Sequence, residues 1–305
     1  MKYFSMFSGI GGFELGIGDQ GECIGYSEID KHAIKTYEEH FNHVNYGDAT
    51  KIDPGELPDF DLLVGGFPCQ AFSVAGKRKG FDDTRGTLFF DIARILSEKR
   101  PRHLVLENVK GLLSHDNGKT FQTIIGVLTD LGYFVEWQVL NSKDFGVPQN
   151  RERVFIVGHL GGEPRSKVFP IVGANSAPIK QVNIARHDYD RVYEVDGVSP
   201  TINTGQRGNA QPKIVAQRGR YRADGSIEQR IEPRPDGLTN TLTAVQKDNM
   251  VFMPPRIRRL TPVECERLQG FPDNWTVGSD AQRYKQCGNA VTVNVVEAVM
   301  RELYK

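Results

Sequence analysis

Short apolar runs alternate with longer amphipathic segments through the first 160 residues of the chain. Strands are predicted at Lys2–Phe7, Glu22–Ser27, Asp61–Val64, His103–Leu106, Phe134–Leu140 and Val154–His159. Helices are predicted around Glu14–Gly18, Asp30–Phe41, Leu88–Lys99 and Thr120–Leu131. Strands separated by helix-length patterns indicate a parallel sheet covered on both faces. We therefore expect an α/β fold with a doubly wound, mostly parallel sheet.

The pattern changes near Gly161. From there to Pro255 the chain is rich in Gly, Pro, Asn and Gln, with short β-like pieces and little helical periodicity. Because apolar pieces keep recurring, we interpret this stretch as a smaller, irregular, β-rich domain and not as disorder. Helical signals return at Thr261, which is followed by Pro262 and Glu264 as in a capped helix start. An amphipathic helix is predicted at Val291–Leu303.

Composition narrows the class of protein. The chain has 305 residues, of which 39% are hydrophobic, enough for a sizeable core. No apolar run approaches the ~18 residues of a membrane span, and the N-terminus does not resemble a signal peptide. The cysteines are scattered without a C-x-x-C pair, at Cys23, Cys69, Cys265 and Cys287. This usage predicts a reducing cytoplasm and no structural metal.

Charge is distributed unevenly although the net charge is zero. Arg165–Leu260 holds 16 Lys and Arg against 9 Asp and Glu, and the remainder holds 22 against 29. A basic segment on an acidic body suggests a surface for phosphates. A solvated, loop-rich region that happens to carry arginines is the alternative.

A cysteine stands in an unusual setting at Gly65–Ser73, which reads Gly-Gly-Phe-Pro-Cys-Gln-Ala-Phe-Ser. The segment follows the predicted strand Asp61–Val64, and Pro68 stiffens the turn. Ligands bind beyond the carboxyl ends of strands in open α/β sheets. A reactive Cys69 thiol is therefore favoured over a small buried apolar residue.

Two turns have features of a nucleoside site. Gly9-Ile10-Gly11-Gly12 lies on the first strand-to-helix turn, and Glu28 ends the second strand, where an acid can accept ribose hydroxyls. Glu14 stands where a dinucleotide motif has its third glycine, so a nucleoside-type cofactor is favoured. Asp48, interpreted as lying beyond a third strand, can meet an adenine amino group or can be an ordinary turn aspartate.

Polar residues also follow the predicted strand His103–Leu106, and others lie at the start of the last predicted strand, Val154–His159. Glu107-Asn108-Val109 would lie at the carboxyl edge of the sheet, where a partly desolvated acid can deliver a proton, or it can simply cap a turn. Arg151 and Arg153 occupy alternate positions entering a strand and should point the same way. Two convergent cations suit an anionic or carbonyl-rich ligand. A surface ion-pair ladder with Glu152 is the alternative.

Taken together and in this order, these blocks resemble the cytosine-C5 DNA methyltransferases of the bacterial or phage restriction–modification type. The matching blocks are Phe7–Phe13, Glu28–Asp30, Gly47–Ala49, Gly65–Ser73, Lys77–Leu96, Glu107–Val109, Gln149–Gly158, Arg258–Trp275 and Gln286–Val296. The resemblance implies a Rossmann-like sheet. It also implies a discontinuous catalytic domain, 1–164 and 256–305, with a target-recognition domain inserted at 165–255.

The resemblance assigns catalytic roles to four residues. Cys69 would add to C6 of a flipped-out cytosine and so activate C5 towards a methyl group. Glu107 would contact N3 and the amino group of the ring, and Arg153 the O2 carbonyl. Arg151 would order the neighbouring acid and backbone.

The implied methyl donor is S-adenosyl-L-methionine. Phe7 would lie against its adenine, Glu28 on its ribose and Asp48 on its adenine amino group. The full expected cofactor set is Phe7, Gly9, Ile10, Gly11, Gly12, Glu28, Ile29, Asp48, Ala49, Pro68, Leu88, Asn289 and Val291. Asn289 and Val291 would close the pocket around the methionine part. No metal is expected.

The implied partner is double-stranded DNA, and the expected DNA-contacting residues are Gln70, Ser73, Lys77, Arg78, Lys79, Thr241 and Leu242. The basic segment Lys77–Gly80 is either a loop that closes on DNA or a solvated loop. An RNA (tRNA) methyltransferase with the same core and a non-catalytic DNA-binding relative are the alternatives. The long insert disfavours the first, and the presence of Cys69 and Glu107 the second. We expect a cytoplasmic monomer, with a cognate restriction endonuclease as a candidate partner.

Overall fold

Strands and helices alternate along the chain up to residue 160. The computed structural model describes residues 1–68, 88–162, 167–173, 213–221, 227–233, 239–240, 249–253 and 256–305. The strands are β1 (Lys2–Met6), β2 (Glu22–Ser27), β3 (Leu62–Gly66), β4 (His103–Val109), β5 (Tyr133–Asn141), β6 (Gln149–Asn150), β7 (Glu152–Leu160), β8 (Lys213–Tyr221), β9 (Ile227–Pro233), β10 (Thr239–Asn240), β11 (Asn249–Met253) and β12 (Arg256–Arg259). The helices are α1 (Gly12–Ile17), α2 (Lys31–His40), α3 (Leu88–Lys99), α4 (Lys119–Asp130), α5 (Pro262–Leu268), α6 (Asp280–Asn289) and α7 (Val293–Leu303).

Six strands form the main sheet, in the order β2-β1-β3-β4-β7-β5. β1 runs parallel to both β2 and β3, and β3 runs parallel to β4. β7 is antiparallel to β4. The prediction of a doubly wound, mostly parallel sheet is confirmed, with β7 as the reversed strand. The carboxyl ends of β1, β2, β3 and β4 therefore meet at one edge, where ligands bind in open α/β sheets.

The core explains why the central strands are continuous apolar runs. Leu62, Leu63 and Val64 of β3 are completely buried, because helices cover both faces of the sheet. In α3 the buried positions Phe89, Ile92, Ala93 and Leu96 recur at the three- and four-residue spacing of one helical face. One face of α3 and the buried strand β3 therefore contribute to the same hydrophobic core.

The structure corrects three details. β4 continues to Val109, so Glu107 lies inside the strand and does not follow it. Between β2 and Asp48, a stretch that the structure describes throughout, the chain forms no strand. A single bridge there joins Tyr26 and Asn45. Helix α6 was not predicted, since its sequence carries few apolar residues.

The predicted helix start at Thr261 is confirmed in detail. The Glu264 amide donates to Thr261 Oγ1 at 3.3 Å, and the Glu264 carboxylate accepts the Thr261 amide at 2.7 Å. This reciprocal capping box satisfies two amides that the first helical turn leaves unpaired. Upstream, the backbone forms a sheet in the order β12-β11-β8-β9, and β10 pairs with β6.

The chain divides into two units, each discontinuous in sequence. The first unit comprises Met1–Leu140, Glu152–Val172 and Val295–Lys305, and the second comprises Asn141–Arg151 and Gly173–Asn294. Among the described residues, no helix has the length and apolar character needed to cross a membrane. Within the same residues, no group of three or more His, Cys, Asp or Glu side chains is arranged to hold a metal ion.

Candidate active site

Glu107 and Arg153 form a buried ion pair in the first unit. Gly66 pairs with Glu107 across β3 and β4, and Val109 pairs with Arg153 across β4 and β7. Arg153 Nε lies 3.0 Å from Glu107 Oε1, and both side chains are largely withdrawn from solvent. Burial lowers the pKa of Arg153, and the Glu107 charge counteracts this. The pair therefore fixes a carboxylate and a guanidinium side by side near the carboxyl ends of β3 and β4.

A glycine keeps room beside this carboxylate. A Cβ added at Gly66 would lie 3.2 Å from Glu107 Oε2, which is tighter than ordinary contact. Gly66, the second of the paired glycines at the end of β3, thus has a local reason. A larger residue at Gly66 would press on the acid.

Asn108 holds the chain just before the candidate nucleophile. Its Nδ2 donates to the Phe67 carbonyl at 2.8 Å, and its Oδ1 accepts the Val109 amide at 2.8 Å. Asn108 is buried and joins the end of β4 to the residue before Pro68. Sequence reasoning considered Asn108 only as a turn cap. The position next to Glu107 was the one signal that could have suggested more.

Several predicted residues lie outside the described part of the chain. They are Cys69, Gln70, Ser73, Lys77, Arg78, Lys79, Thr241 and Leu242. Pro68, which is exposed, is the last described residue before Cys69.

The other cysteines are poor thiolates. Burial and, to a smaller extent, the charge of Glu14 raise the pKa of Cys23 to about 12. Burial also raises the pKa of Cys265 and of Cys287. Since a thiolate is the nucleophilic form, these described cysteines are unreactive near neutral pH.

The first glycine turn has a backbone that few residues other than glycine adopt. Gly9 and Gly11 have φ of 56° and 86°, and Phe7 has φ of 55°. A Cβ at Gly11 would enter the Phe41 ring. The Gly9 amide donates to Glu28 Oε2 at 2.9 Å, which joins the end of β2 to the turn after β1. Ile10 and Gly12 are buried beneath this turn.

Glu28 also binds its own turn and the next one. Its Oε1 accepts the amides of Ile29 and Asp30, each at 2.8 Å. Asn45 donates to the Glu28 carbonyl at 3.2 Å and accepts the Gly47 amide at 2.8 Å. The turns carrying Glu28 and Asp48 are therefore linked through one asparagine, which the sequence did not reveal.

Asp48 caps a short 3-10 turn, Ala49–Lys51. Its Oδ1 accepts the Thr50 amide at 3.0 Å and the Thr50 hydroxyl at 2.8 Å. These hydrogen bonds keep the pKa of Asp48 below its usual value, so it is a charged acceptor at neutral pH. Ala49 is buried under the turn, and Leu88, half-buried, begins α3.

The residues around these turns fit the implied cofactor. A Cβ added at Gly9 or at Gly47 would meet no atom within 4 Å, so space is open beside both turns. Ile29 exposes 70% of its surface, which leaves an apolar side chain next to the carboxylates. Acceptors for hydroxyl and amino groups beside an apolar surface suit a nucleoside.

Arg151 belongs to the second unit and has other partners than Arg153. It is buried, and its guanidinium donates to the Ala290 carbonyl at 2.7 Å and to the Gly288 carbonyl at 3.3 Å. These carbonyls flank Asn289, which is exposed at the end of α6. These contacts of Arg151 are with the backbone on either side of Asn289, and Arg153 forms the ion pair with Glu107. The ordering of a neighbouring acid by Arg151 stays a prediction.

A buried polar chain extends this arrangement. The Ser142 and Thr292 hydroxyls are 2.8 Å apart, and Thr292 donates to Gln269 Oε1 at 2.8 Å. Gln269 Nε2 donates to the Cys287 carbonyl at 2.7 Å. These contacts fix the loop that carries Val291, itself nearly buried. These hydrogen bonds could not be predicted from the sequence, because the residues that form them are far apart in it.

Comparisons with known proteins give a consistent result. The family model described as C-5 cytosine-specific DNA methylase matches residues 1–305. The chain is 40% identical to the type II methyltransferase M.NlaX of Neisseria lactamica, over 99% of this chain and 96% of that protein. It is 40% identical to the type II methyltransferase M.HpaII of Haemophilus parainfluenzae, over 99% of this chain and 88% of that protein.

Solved structures share the fold. A putative DNA modification methyltransferase encoded within an E. coli prophage covers 100% of this chain, with a TM-score of 0.63 and 21% identity. The match spans 98% of that structure. A DNMT2 mutant from Spodoptera frugiperda matches with a TM-score of 0.66 and 17% identity, over 100% of this chain and 99% of the other.

Proposed function

Because the chain belongs to the C-5 cytosine-specific DNA methylase family, we propose that it methylates C5 of a cytosine within a specific double-stranded DNA sequence. The observation that carries the site assignment is the buried Glu107–Arg153 pair, 3.0 Å apart, at the strand edge that leads to Pro68 and Cys69. A carboxylic acid and a guanidinium side by side match the N3, amino and O2 edge of cytosine. S-adenosyl-L-methionine would supply the methyl group as an electrophile.

Cys69 opens the reaction as a nucleophile. Cytosine C5 is a weak nucleophile until a thiolate adds to C6, which converts the ring to an enamine. The sulfur–C6 bond forms while Glu107 hydrogen-bonds at N3 and stabilises the charge that develops there. C5 then takes the methyl group. Loss of the C5 proton to a base expels the thiolate and restores the aromatic ring.

The cofactor would be held by the turns after β1 and β2 and by the Asp48 turn. The Glu28 carboxylate would accept hydrogen bonds from the ribose hydroxyls, and the Asp48 carboxylate would accept one from the adenine amino group. Phe7 and Ile29 offer apolar surface to the purine. Two properties of the protein support this proposal: the open space beside Gly9 and Gly47, and the charged state of Asp48.

The target base must leave the helix to reach such a site. A cytosine inside a duplex is shielded by its neighbours, and flipping it out costs on the order of a few kcal/mol. Residues Arg165–Leu260, with their excess of Lys and Arg, would supply phosphate contacts and base reading. We infer a monomer that acts in the cytoplasm, with a cognate endonuclease as a candidate partner.

A fluorinated substrate tests the covalent step. In a duplex carrying 5-fluorocytosine at the recognised site, the fluorine cannot leave as a proton does, so the Cys69–C6 adduct should persist. We expect a denaturation-resistant complex only when S-adenosyl-L-methionine is present, detected by gel shift and by mass spectrometry of the adduct peptide. An RNA duplex of the same sequence should not be trapped.

The remaining cysteines are matched controls. Cys69→Ala should abolish trapping, whereas Cys23→Ser, which removes a thiol with a pKa of about 12, should not. Cys265→Ala and Cys287→Ala should also leave trapping intact. A covalent complex that survives Cys69→Ala would overturn the mechanism.

An exchange experiment tests the role of residues 165–255. Replacing this segment with that of a relative should transfer the relative's target sequence, as read by bisulfite sequencing. If active chimaeras keep the original target, sequence choice does not reside in this segment.

A further inference from the structure

Arg94 of α3 ties that helix to the turn that follows Asp48. Its two terminal nitrogens donate to backbone carbonyls: Nη2 to Ala49 at 2.9 Å, and Nη1 to Ile52. These carbonyls stand at the two ends of the 3-10 turn Ala49–Lys51. One planar guanidinium therefore fixes both ends of the turn, which a single-point donor cannot do in the same way.

The orientation of Asp48 depends on the same turn. Its Oδ1 accepts two hydrogen bonds from Thr50, whose backbone lies between the two carbonyls that Arg94 holds. Lys51 is a weaker partner, because it is 80% exposed and its Nζ lies 3.7 Å from Asp48 Oδ2. If the turn loosens, the Asp48 carboxylate loses its fixed direction.

We propose that Arg94 is a positioning residue for recognition of the adenine amino group, acting through the backbone of the Asp48 turn. The inference rests on the proposed function, in which Asp48 accepts that amino group. Asp91 supports the arrangement, since its Oδ1 lies 3.4 Å from Arg94 Nη2 on the preceding turn of α3. The two carbonyl contacts give Arg94 this role, which it exerts through the turn.

Lys99 provides a matched control on the same helix. It also donates to a backbone carbonyl of the preceding loop, that of Leu57 at 2.7 Å, and it pairs with Asp59 at 2.9 Å. Its side chain is only 11% exposed. Lys99 thus makes the same kind of helix-to-loop contact at a place away from Asp48.

The experiment compares two cofactors in four proteins. Arg94→Ala, Arg94→Lys, Lys99→Ala and the unchanged protein are titrated calorimetrically with S-adenosyl-L-methionine. The same titrations use an analogue that carries hypoxanthine, so that oxygen replaces the amino group. Methyl transfer at saturating cofactor is measured in parallel, and thermal unfolding reports stability.

The expected result is a loss of amino-group selectivity. Arg94→Ala should weaken S-adenosyl-L-methionine binding about tenfold and bind the analogue nearly unchanged, because only the amino-group contact depends on the turn. The kcat at saturating cofactor should stay within about twofold. Arg94→Lys should recover part of the preference for S-adenosyl-L-methionine over the analogue. Lys99→Ala should lower thermal stability and leave that preference unchanged.

Two failures are distinguishable. If the unchanged protein does not bind S-adenosyl-L-methionine, the proposed function fails. If it binds and prefers the amino cofactor, but Arg94→Ala keeps that preference as Lys99→Ala does, the role of Arg94 is overturned. Should Arg94→Ala not fold, Arg94→Lys decides the question, since an undiminished preference in that variant also contradicts the inference.

Discussion

Two buried carboxylate–arginine pairs of the protein have nearly the same length and different surroundings. Glu107 and Arg153 lie 3.0 Å apart in the first unit, and Glu266 and Arg283 lie 2.9 Å apart in the second. Glu266 is completely buried, whereas the Glu107 side chain keeps 12% of its surface exposed. Distance alone therefore does not distinguish an acid that builds the fold from one that acts on a ligand.

The surroundings make the distinction. Glu266 accepts the amides of Asn274 and Thr276 at 2.7 and 2.8 Å, and the Thr276 hydroxyl donates to it as well. Together with Arg283, these donors organise the loop between α5 and α6. Glu107 instead lies near the carboxyl end of its strand, beside Gly66, at the edge where ligands bind in this class of sheet. The Glu266 carboxylate is structural, because it is completely buried and its described donors all belong to its own loop or to α6.

The largest expected effect is on the chemistry at Glu107. Glu107→Gln keeps the size of the side chain and removes its charge, so addition of the thiolate to C6 loses its proton partner. We expect single-turnover methyl transfer to fall by about 10²- to 10⁴-fold, with DNA affinity retained. A transfer rate within a few-fold of the unchanged protein would place Glu107 with the structural acids.

The next effect should fall on stability at Glu266. Glu266→Gln leaves the partly buried Arg283 without its counter-charge, and an amide cannot accept from all the donors that face it. Denaturant unfolding should show a loss of roughly 3–5 kcal/mol. Methyl transfer per folded molecule should stay unchanged. A large loss of transfer rate in fully folded Glu266→Gln protein would erase the contrast between the two pairs.

A third buried acid, Glu14, sharpens the comparison because hydroxyls and not arginine bind it. Tyr37 donates to Glu14 at 3.0 Å. Burial raises the pKa of Glu14 from 4.5 to about 7, partly offset by hydrogen bonds from Ser5 and Tyr37. The folded protein therefore holds a proton on Glu14 that the unfolded chain releases above about pH 4.5.

Stability should accordingly fall as the pH rises through this window. Between pH 5 and 8 the contribution of Glu14 should lower the free energy of unfolding by roughly 2–3 kcal/mol. The facing groups Tyr3, Cys23 and Tyr37 stay neutral there, because burial raises their pKa values, and burial lowers that of His43. Denaturant unfolding at each pH should show a flatter profile for Glu14→Gln. An equal slope in both proteins would mean that Glu14 is already charged in the folded state.

Local patterns predicted the elements well where burial is uniform. The apolar run of β3 is short and bounded by turn residues, and the apolar residues of α3 have helical spacing, so both elements could be assigned from local sequence. The capping box at Thr261 is equally local. Helix α6 escaped detection because it buries few apolar side chains, and its polar residues look like a loop.

Long-range pairing was the part that could not be predicted. The reversed direction of β7 beside β4 depends on how the chain returns, and this changes which residues meet Glu107. Arg151 and Arg153 look equivalent in sequence as alternating positions. The chain breaks regular pairing at Arg151, between β6 and β7, and the two guanidinium groups consequently have different partners. Alternation predicts facing only within an unbroken strand.

The division of the first unit along the chain has a consequence for biosynthesis. Val295–Lys305 belongs to that unit, although residues 173–294, which are translated before it, belong to the other. In α7, Val296, Val299 and Met300 are completely buried, so a nascent chain that lacks them leaves apolar surface uncovered. A ribosome adds on the order of 5–20 residues per second, and the first unit must wait many seconds for its last helix. The order of translation therefore means that the first unit cannot be completed until the whole of residues 173–294 has been made.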